Sequence, residues 1–109
     1  MGKASQRKGR AAELELCRLL NERGIPATPG DPLSFGTQPD VSGVPGVHVE
    51  VKRHERIEIM TWMRQSEQDA ERFRDGAPAV FFRRSGEPWL VCMRMEDWLK
   101  IYKTGGEQR

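Results

Sequence analysis

The 109-residue sequence is poor in cysteine and has no long apolar run. Its two cysteines, Cys17 and Cys92, belong to no CxxC pair and to no Cys/His cluster with zinc-site spacing. We therefore predict buried thiols in a reducing compartment rather than a disulfide or zinc framework. No apolar stretch approaches the ~20 residues that cross a bilayer, and none follows the basic start as in a signal peptide. These absences predict a cytoplasmic protein with no membrane partner.

Charged residues are plentiful, at 31% of the chain against 37% hydrophobic residues. This balance predicts one domain over residues 1–109, with a single modest core beneath a highly charged surface. The formal net charge is only +2, but the first ten residues hold no acid and the basic side chains Lys3, Arg7, Lys8 and Arg10. Such a cluster suits phosphate contacts, and it equally suits a solvated terminus.

The hydrophobic pattern switches between helical and strand periods along the chain. An apolar stripe through Ala12, Leu16 and Leu20 predicts a helix over about 5–23, with Gly24 as its stop. The other predicted elements are a short strand near 25–28, a hairpin arm at 40–43, strands at 47–53, 79–84 and 89–94, and helices at 59–74 and 95–103, with a frayed tail from 104. The order helix, three strands, helix, two strands, helix predicts an α/β fold with a mixed central β-sheet flanked by helices.

The stretch VHVEVKR, residues 47–53, places an imidazole, a carboxylate and an ammonium on one strand face. Because strand side chains point to opposite faces in turn, His48, Glu50 and Lys52 share the face opposite the valines. Asp40 follows a proline on the preceding hairpin arm, and the short turn brings its carboxylate toward Glu50. Two converging carboxylates repel each other unless a cation lies between them, and oxygen ligands favour Mg²⁺ or Mn²⁺.

Three motifs together carry a resemblance to a known family. The segments KGRAAELELCRLL, PDVSG and VHVEVKR are similar to the PD-(D/E)XK nuclease superfamily, and within it to the small Holliday-junction-resolvase-like endonucleases of archaea and phages. The matching positions are Lys8-Gly9 with Glu13, Pro39-Asp40, Glu50-Val51-Lys52, and Ser34 to Gly36 at the position of a Ser-Gly element. The likeness covers the first half of the chain in order and spacing, and the second half only in the order of its elements.

The resemblance implies a restriction-endonuclease-like core and a metal-dependent DNA endonuclease that hydrolyses phosphodiester bonds. The residues that it assigns to Mg²⁺ or Mn²⁺ are Asp40, Glu50, Val51 through its backbone carbonyl, and Glu13. The residues that it assigns to catalysis are Asp40, Glu50, Lys52, Glu13 and Gln65. Lys52 can orient the attacking water or steady the developing charge, and a general-base role for it stays open. Taken alone, Glu13 and Gln65 also fit solvated helix positions. His48 fits a structural or DNA-facing role better than a ligand role.

The expected partner is DNA, branched or double-stranded, and the expected assembly is a homodimer, because a four-way junction offers two symmetric cuts. The predicted DNA contacts are Lys3, Arg7, Lys8, Arg10, Ser34, Arg53, Arg56, Arg83 and Arg84. Trp62, Trp89 and Trp98 fit the core better than base-stacking platforms. Two alternatives stay open: a DNA-binding module or nuclease subunit with little cleavage of its own, and an ordinary α/β interaction domain.

Overall fold

Helices and strands follow the predicted order in the computed structural model, which describes the backbone of residues 2–107 and the side chains of residues 7–105. Within that part of the chain the elements are α1 (Gly2–Glu22), β1 (Thr28–Pro29), β2 (Val41–Ser42), β3 (Val47–Arg53), α2 (Ile59–Phe73), β4 (Ala77–Arg83), β5 (Leu90–Met93) and α3 (Met95–Glu107). The predicted bounds of β3 match those of the structure. The tail predicted to fray from residue 104 is instead helical to Glu107. No helix in the described part of the chain is long and apolar enough to cross a membrane.

The strands form one five-stranded sheet in the order β1-β2-β3-β4-β5. β3 and β4 are parallel, with Glu50 opposite Val80, and the other neighbouring strands are antiparallel. The sheet is therefore mixed, as predicted, and β3 is its central strand. β2 is only two residues long and pairs with β3 at a single position, Val41 opposite Val49. This leaves the second half of β3 without a backbone partner from β2.

β3 is buried on both faces, although its sequence predicts one apolar face and one polar face. α1 covers the valine face, where Ala12 and Leu16 belong to the same core cluster as Val49. α2 lies over the other face, and beneath it His48 and Glu50 are only 1% and 4% exposed. A parallel β3–α2–β4 crossover places its helix over the sheet, which explains why these polar side chains lie in the interior.

The tryptophans and cysteines divide between the core and the surface. Trp62 is buried on α2, as predicted, and Trp89 packs partly buried against the α1 side of the core. The core prediction is wrong for Trp98, which is 48% exposed on α3. Cys17 is buried as predicted, whereas Cys92 is only partly buried because β5 is the edge strand.

Gly76 is the position where the fold depends most on the absence of a side chain. It lies between α2 and β4 at φ +135°, and a Cβ there would lie 2.5 Å from the backbone nitrogen of Val47. We expect Gly76→Ala to lower the free energy of unfolding by about 1–3 kcal/mol, because the start of β3 would have to move. Urea unfolding measures this effect.

Gly9→Ala is the matched control for that experiment. Gly9 lies inside α1, and a Cβ there would meet nothing within 4 Å. Alanine in a helix interior is more favourable than glycine by roughly 0.5–1 kcal/mol, so this variant should unfold at higher urea than the wild type. Equal urea midpoints for Gly76→Ala and the wild type would contradict the packing described here.

Candidate metal centre

Asp40 takes the place that a longer β2 would occupy beside β3. Its Oδ2 accepts a hydrogen bond from the Val51 backbone N–H at 3.0 Å. The N–H and C=O of one strand residue point toward the same neighbouring strand, so the Val51 carbonyl lies on the same edge of β3 as the Asp40 carboxylate. The structure thus brings together the aspartate and the backbone oxygen that the sequence predicts as metal ligands.

Glu50 lies on β3 beneath α2, and its carboxylate is fixed by His48. The Nε2 of His48 is 2.9 Å from Glu50 Oε1, and its Nδ1 is 2.8 Å from Asp75 Oδ1. Both ring nitrogens face carboxylate oxygens, an arrangement that favours the doubly protonated ring. Burial disfavours that charge, yet the hydrogen bonds to Glu50 and Asp75 outweigh it and raise the pKa of His48.

The same hydrogen bonds bear on the role of His48. While both ring nitrogens of His48 face carboxylates, neither offers a lone pair to a metal. In this arrangement His48 is placed to orient Glu50, and the structural role predicted for it stays a prediction. The Asp75 partner was not identified from the sequence.

Asp69 is a further acidic residue that sequence reasoning missed. A carboxylate oxygen of Asp69, on α2, lies within 4.8 Å of a ring nitrogen of His48 and of a carboxylate oxygen of Glu50. Its negative charge also contributes to raising the pKa of both Asp40 and Glu50. Asp69 follows Gln65 by one helical turn, and i,i+4 positions share a helix face. Once Gln65 is predicted to face the site, the same face of the helix therefore also predicts Asp69.

The carboxylates of the candidate site lie close together and away from water, and both conditions raise their pKa values. Burial is the largest cause that raises the pKa of Asp40 and Glu50, and for Glu50 the charge of Asp40 adds to it. Glu13, on α1, has its pKa raised to about 7 by burial and then by the charge of Asp40, against the opposing effect of Arg10. A bound cation would favour the ionised form of all three carboxylates, so the cluster has the electrostatics of a cation site.

Lys52 and Gln65 meet at the open end of this face. Lys52 Nζ donates a hydrogen bond to Gln65 Oε1 at 2.7 Å, and that pair is exposed to solvent. Lys52 follows Glu50 by two residues on β3, so its stem points to the same face of the sheet. The five residues predicted for catalysis therefore converge on one end of β3, with Glu13 approaching from α1 and Gln65 from α2.

The predicted DNA contacts fall into different environments. Those with protein partners are Lys8, which pairs with Glu55; Arg10, which donates to the Gly30 carbonyl and lies near Glu13; Arg53, which bonds Glu55 and Ser85; and Arg83, which pairs with Glu15. Those at exposed positions are Arg7, Arg56 and Arg84, and Ser34 is half-buried in a cavity wall shared with Glu13 and Asp40. The Lys3 side chain lies outside the described residues. A role in DNA binding stays a prediction for all of them.

The ion pair of Arg83 with Glu15 connects α1 to the sheet, independently of the DNA contact predicted for Arg83. Glu15 Oε1 accepts from Arg83 Nη1 and from the Trp89 indole N–H, each at 2.7 Å. These two bonds tie α1 to β4 and to the segment before β5. The hydrogen bond from Trp89 is the largest cause that lowers the pKa of Glu15.

The fold of the chain is similar to that of a solved resolvase structure. The chain is similar to Archaeoglobus fulgidus Hjc, a Holliday junction resolvase from an archaeal hyperthermophile, with a TM-score of 0.59 and 21% sequence identity. The match covers 79% of this chain and 72% of the resolvase chain. At that identity the likeness concerns the fold, a mixed five-stranded sheet with flanking helices. No protein-family model and no curated protein matches the sequence.

The raised pKa of Glu13 makes the metal-free protein sensitive to pH. An acid whose pKa is about 7 in the folded state and 4.5 in the unfolded state costs stability as pH rises from about 4.5 through 7. In EDTA we therefore expect the melting temperature to fall over this range, and Glu13→Gln to reduce the fall. Thermal unfolding followed by circular dichroism at pH 5, 6, 7 and 8 measures it.

A control on the same helix separates this effect from a general loss of charge. Glu22 is an exposed glutamate of α1, and Glu22→Gln should leave the pH dependence as in the wild type. Divalent metal should raise the melting temperature most at pH 8, where the carboxylates are ionised. An unchanged pH dependence in Glu13→Gln would show that Glu13 is not part of the crowded cluster.

Proposed function

We propose that the protein is a metal-dependent DNA endonuclease of the PD-(D/E)XK type that hydrolyses phosphodiester bonds in branched DNA. The observation that carries the proposal is the convergence of Asp40, Glu50 and Lys52 at one end of the central strand. The resolvase-like fold supports the substrate class, because the similar protein is a Holliday junction resolvase. Fold alone does not fix activity, so the residues at the end of β3 carry the argument.

The donor set fits a hard divalent cation such as Mg²⁺ or Mn²⁺. Carboxylate and carbonyl oxygens converge there, whereas the nitrogens of His48 are engaged by carboxylates. Asp40, Glu50 and the Val51 carbonyl would hold the ion, with Glu13 and Asp69 directly or through water. When bound, the ion neutralises charge on the phosphoryl oxygens and lowers the pKa of a coordinated water.

The chain's own residues supply orientation and charge. The Val51 N–H holds the Asp40 carboxylate, and His48 holds that of Glu50, so both acids are fixed before substrate arrives. Lys52 places a positive charge beside them and donates to Gln65, which leaves its other two ammonium protons for water or phosphate. Groups fixed before the reaction stabilise developing charge without reorganisation, which favours phosphodiester hydrolysis.

A homodimer is part of the proposal, since a four-way junction offers two symmetric cuts. Apolar side chains are exposed along the edge strand β5 and on α3: Leu90, Val91, Met95, Trp98, Ile101 and Tyr102. Phe82, by contrast, belongs to the core. An exposed apolar surface of this kind, continuous with an unpaired strand edge, suits contact with a second copy of the chain.

Asp40→Asn tests the metal site. The amide can still accept from the Val51 N–H but lacks the negative charge that attracts the cation, so the fold should persist while cleavage drops by ~10²-fold or more. Linear, flap, splayed and four-way DNAs incubated with Mg²⁺ give the cleavage rates and the substrate preference together.

Glu50→Gln should behave in the same way, while Glu22→Gln on the outer face of α1 should cut like the wild type. Full activity of Asp40→Asn in Mg²⁺ would remove the metal-site assignment. Binding of four-way DNA by a wild-type protein that cuts none of the four substrates would favour the DNA-binding alternative.

Lys52→Ala separates chemistry from binding. The Lys52–Gln65 pair is exposed, so the free energy of unfolding should change by less than about 1 kcal/mol. Loss of one group that acts mainly in the transition state should lower the cleavage rate by ~10²-fold or more, while DNA affinity falls only by the share of one phosphate contact.

The measurement pairs a cleavage time course in Mg²⁺ with a gel-shift titration in Ca²⁺. Gln65→Ala is the companion variant, and it should lose less activity because Lys52 keeps its charge. A Lys52→Ala variant that cuts within a few-fold of the wild type would show that Lys52 is not catalytic. One that no longer binds DNA would make Lys52 an anchor instead.

A further inference from the structure

The loop of residues 31–38, between β1 and β2, presents two large apolar side chains to solvent beside the candidate metal centre. Phe35 is 89% exposed and Leu33 is 74% exposed. Phe35 also has φ +53°, a left-handed conformation that is unfavourable for a bulky residue other than glycine. The left-handed backbone is unfavourable in itself, and the exposed ring gains no burial in the isolated protein to offset it. A strained and exposed aromatic residue next to a reactive site is therefore a candidate for contact with substrate.

The loop is built to hold this shape. The Gly30 N–H donates to the Asp40 carbonyl at 2.9 Å and closes the neck of the loop. Arg10 Nη1 donates to the Gly30 carbonyl at 2.6 Å and fixes that neck to α1. Inside the loop, Asp31 Oδ1 accepts from the Leu33 N–H at 2.8 Å, and Gln38 Oε1 accepts from the Asp31 N–H at 2.9 Å. The exposure of Phe35 is thus imposed by an internally bonded loop.

The surroundings of Phe35 combine acidic and basic groups. Phe35 and Ser34 line a cavity of about 190 Å³ together with Glu13 and Asp40. Phe35 and Leu33 also line a groove with Arg7, Arg10, Glu13 and Leu14 of α1. The loop tip therefore lies beside the candidate metal ligands Glu13 and Asp40 and beside two guanidinium groups.

We propose that Phe35 stacks on a nucleobase of the DNA strand being cut, at a nucleotide close to the scissile phosphate. Leu33 supports the stack from the same loop, and Arg7 and Arg10 of α1 receive the neighbouring phosphates. The inference rests on the proposed endonuclease function. Its chemistry follows from the surroundings: aromatic side chains interleaved with basic ones form the usual surface for unpaired bases.

This contact selects a class of DNA. In a continuous duplex each base is covered on both faces by its neighbours, so Phe35 could stack only after unstacking a base step. At a branch point or a single-strand junction a base face is already accessible. The loop would accordingly favour branched DNA over linear duplex without reading sequence, since every base has a π-face.

A double-substitution cycle tests the stack directly. Four-way junctions carrying one abasic site at each position around the branch point are bound to the wild type and to Phe35→Ala in Ca²⁺, and affinity is measured by fluorescence anisotropy. At one position we expect the abasic site to weaken wild-type binding by at least about five-fold. Phe35→Ala should lose a similar factor on intact DNA, and the two losses should not add.

Two further variants make the cycle specific. Phe35→Tyr keeps a stacking ring and should restore both the affinity and its dependence on the base. Met60→Ala removes a side chain that is 65% exposed on α2, and it should bind every junction like the wild type. Because Phe35 is so exposed, its substitution should leave the thermal unfolding temperature unchanged.

The outcomes separate this inference from the proposed function. A wild type that neither binds nor cuts junctions overturns both. A wild type that cuts junctions while abasic losses add fully to Phe35→Ala at every position overturns the stack alone. A shift from dimer to monomer in Phe35→Ala, by sedimentation and without coupling to any base, would assign the loop to a protein contact and also overturn the stack.

Discussion

Glu50 is a carboxylate on the central strand with 4% of its surface exposed, and the rest of the site is arranged around that burial. Removing a carboxylate from water costs several kcal/mol unless it is paired and hydrogen-bonded. The chain meets part of that cost with His48, itself 1% exposed and held from behind by Asp75. Burial of Glu50 is therefore coupled to burial of its partner His48, and His48 has a second carboxylate partner, Asp75, on the loop between α2 and β4.

The short length of β2 shapes the candidate site as much as the burial of Glu50 does. A longer β2 would pair with the backbone of Val51 and leave neither its N–H for Asp40 nor its carbonyl on an open edge. Because β2 begins only at Val41 and pairs with β3 only at Val49, no β2 residue faces Val51, and the Asp40 side chain takes the strand's place. The same gap lets Glu13 of α1 reach the carboxylates of the opposite sheet face. An incomplete sheet edge is thus what joins the two faces of the sheet into one site.

Local sequence patterns predicted most of the helices and strands but little of how the helices pack on the sheet. Strict alternation in VHVEVKR predicts β3 to the residue, because strand periodicity is a property of the chain itself. The burial of its polar face depends on a helix nine or more residues away, which alternation cannot indicate. α3 continues past two glycines to Glu107, whereas the polar character of the last residues predicted a frayed tail from residue 104.

The candidate site likewise contains residues that the sequence predicts and residues that only the tertiary packing reveals. Asp40, Glu50 and Lys52 lie in contiguous motifs, and their spacing carries their joint placement. Asp69 and Asp75 reach the site from α2 and from the loop that follows it, and only the tertiary packing of that helix makes them partners of Glu50 and His48. The residue spacing in the β3 motif therefore could not predict partners that come from α2 and from the loop that follows it.

The charges of the described residues in the candidate site match what the proposed divalent ion would need. His48 is paired with Asp75, and Arg10 lies 3.5 Å from Glu13 and partly offsets its charge. The remaining groups are the carboxylates Asp40, Glu50 and Asp69 and the single ammonium of Lys52. When all are ionised, these groups carry a net charge that one divalent cation balances. Without a cation, protons partly fill that role, as the raised pKa values of Asp40 and Glu50 indicate. For the proposed metal site, proton uptake and metal binding would be competing ways of balancing one buried charge, and rising pH would favour the metal.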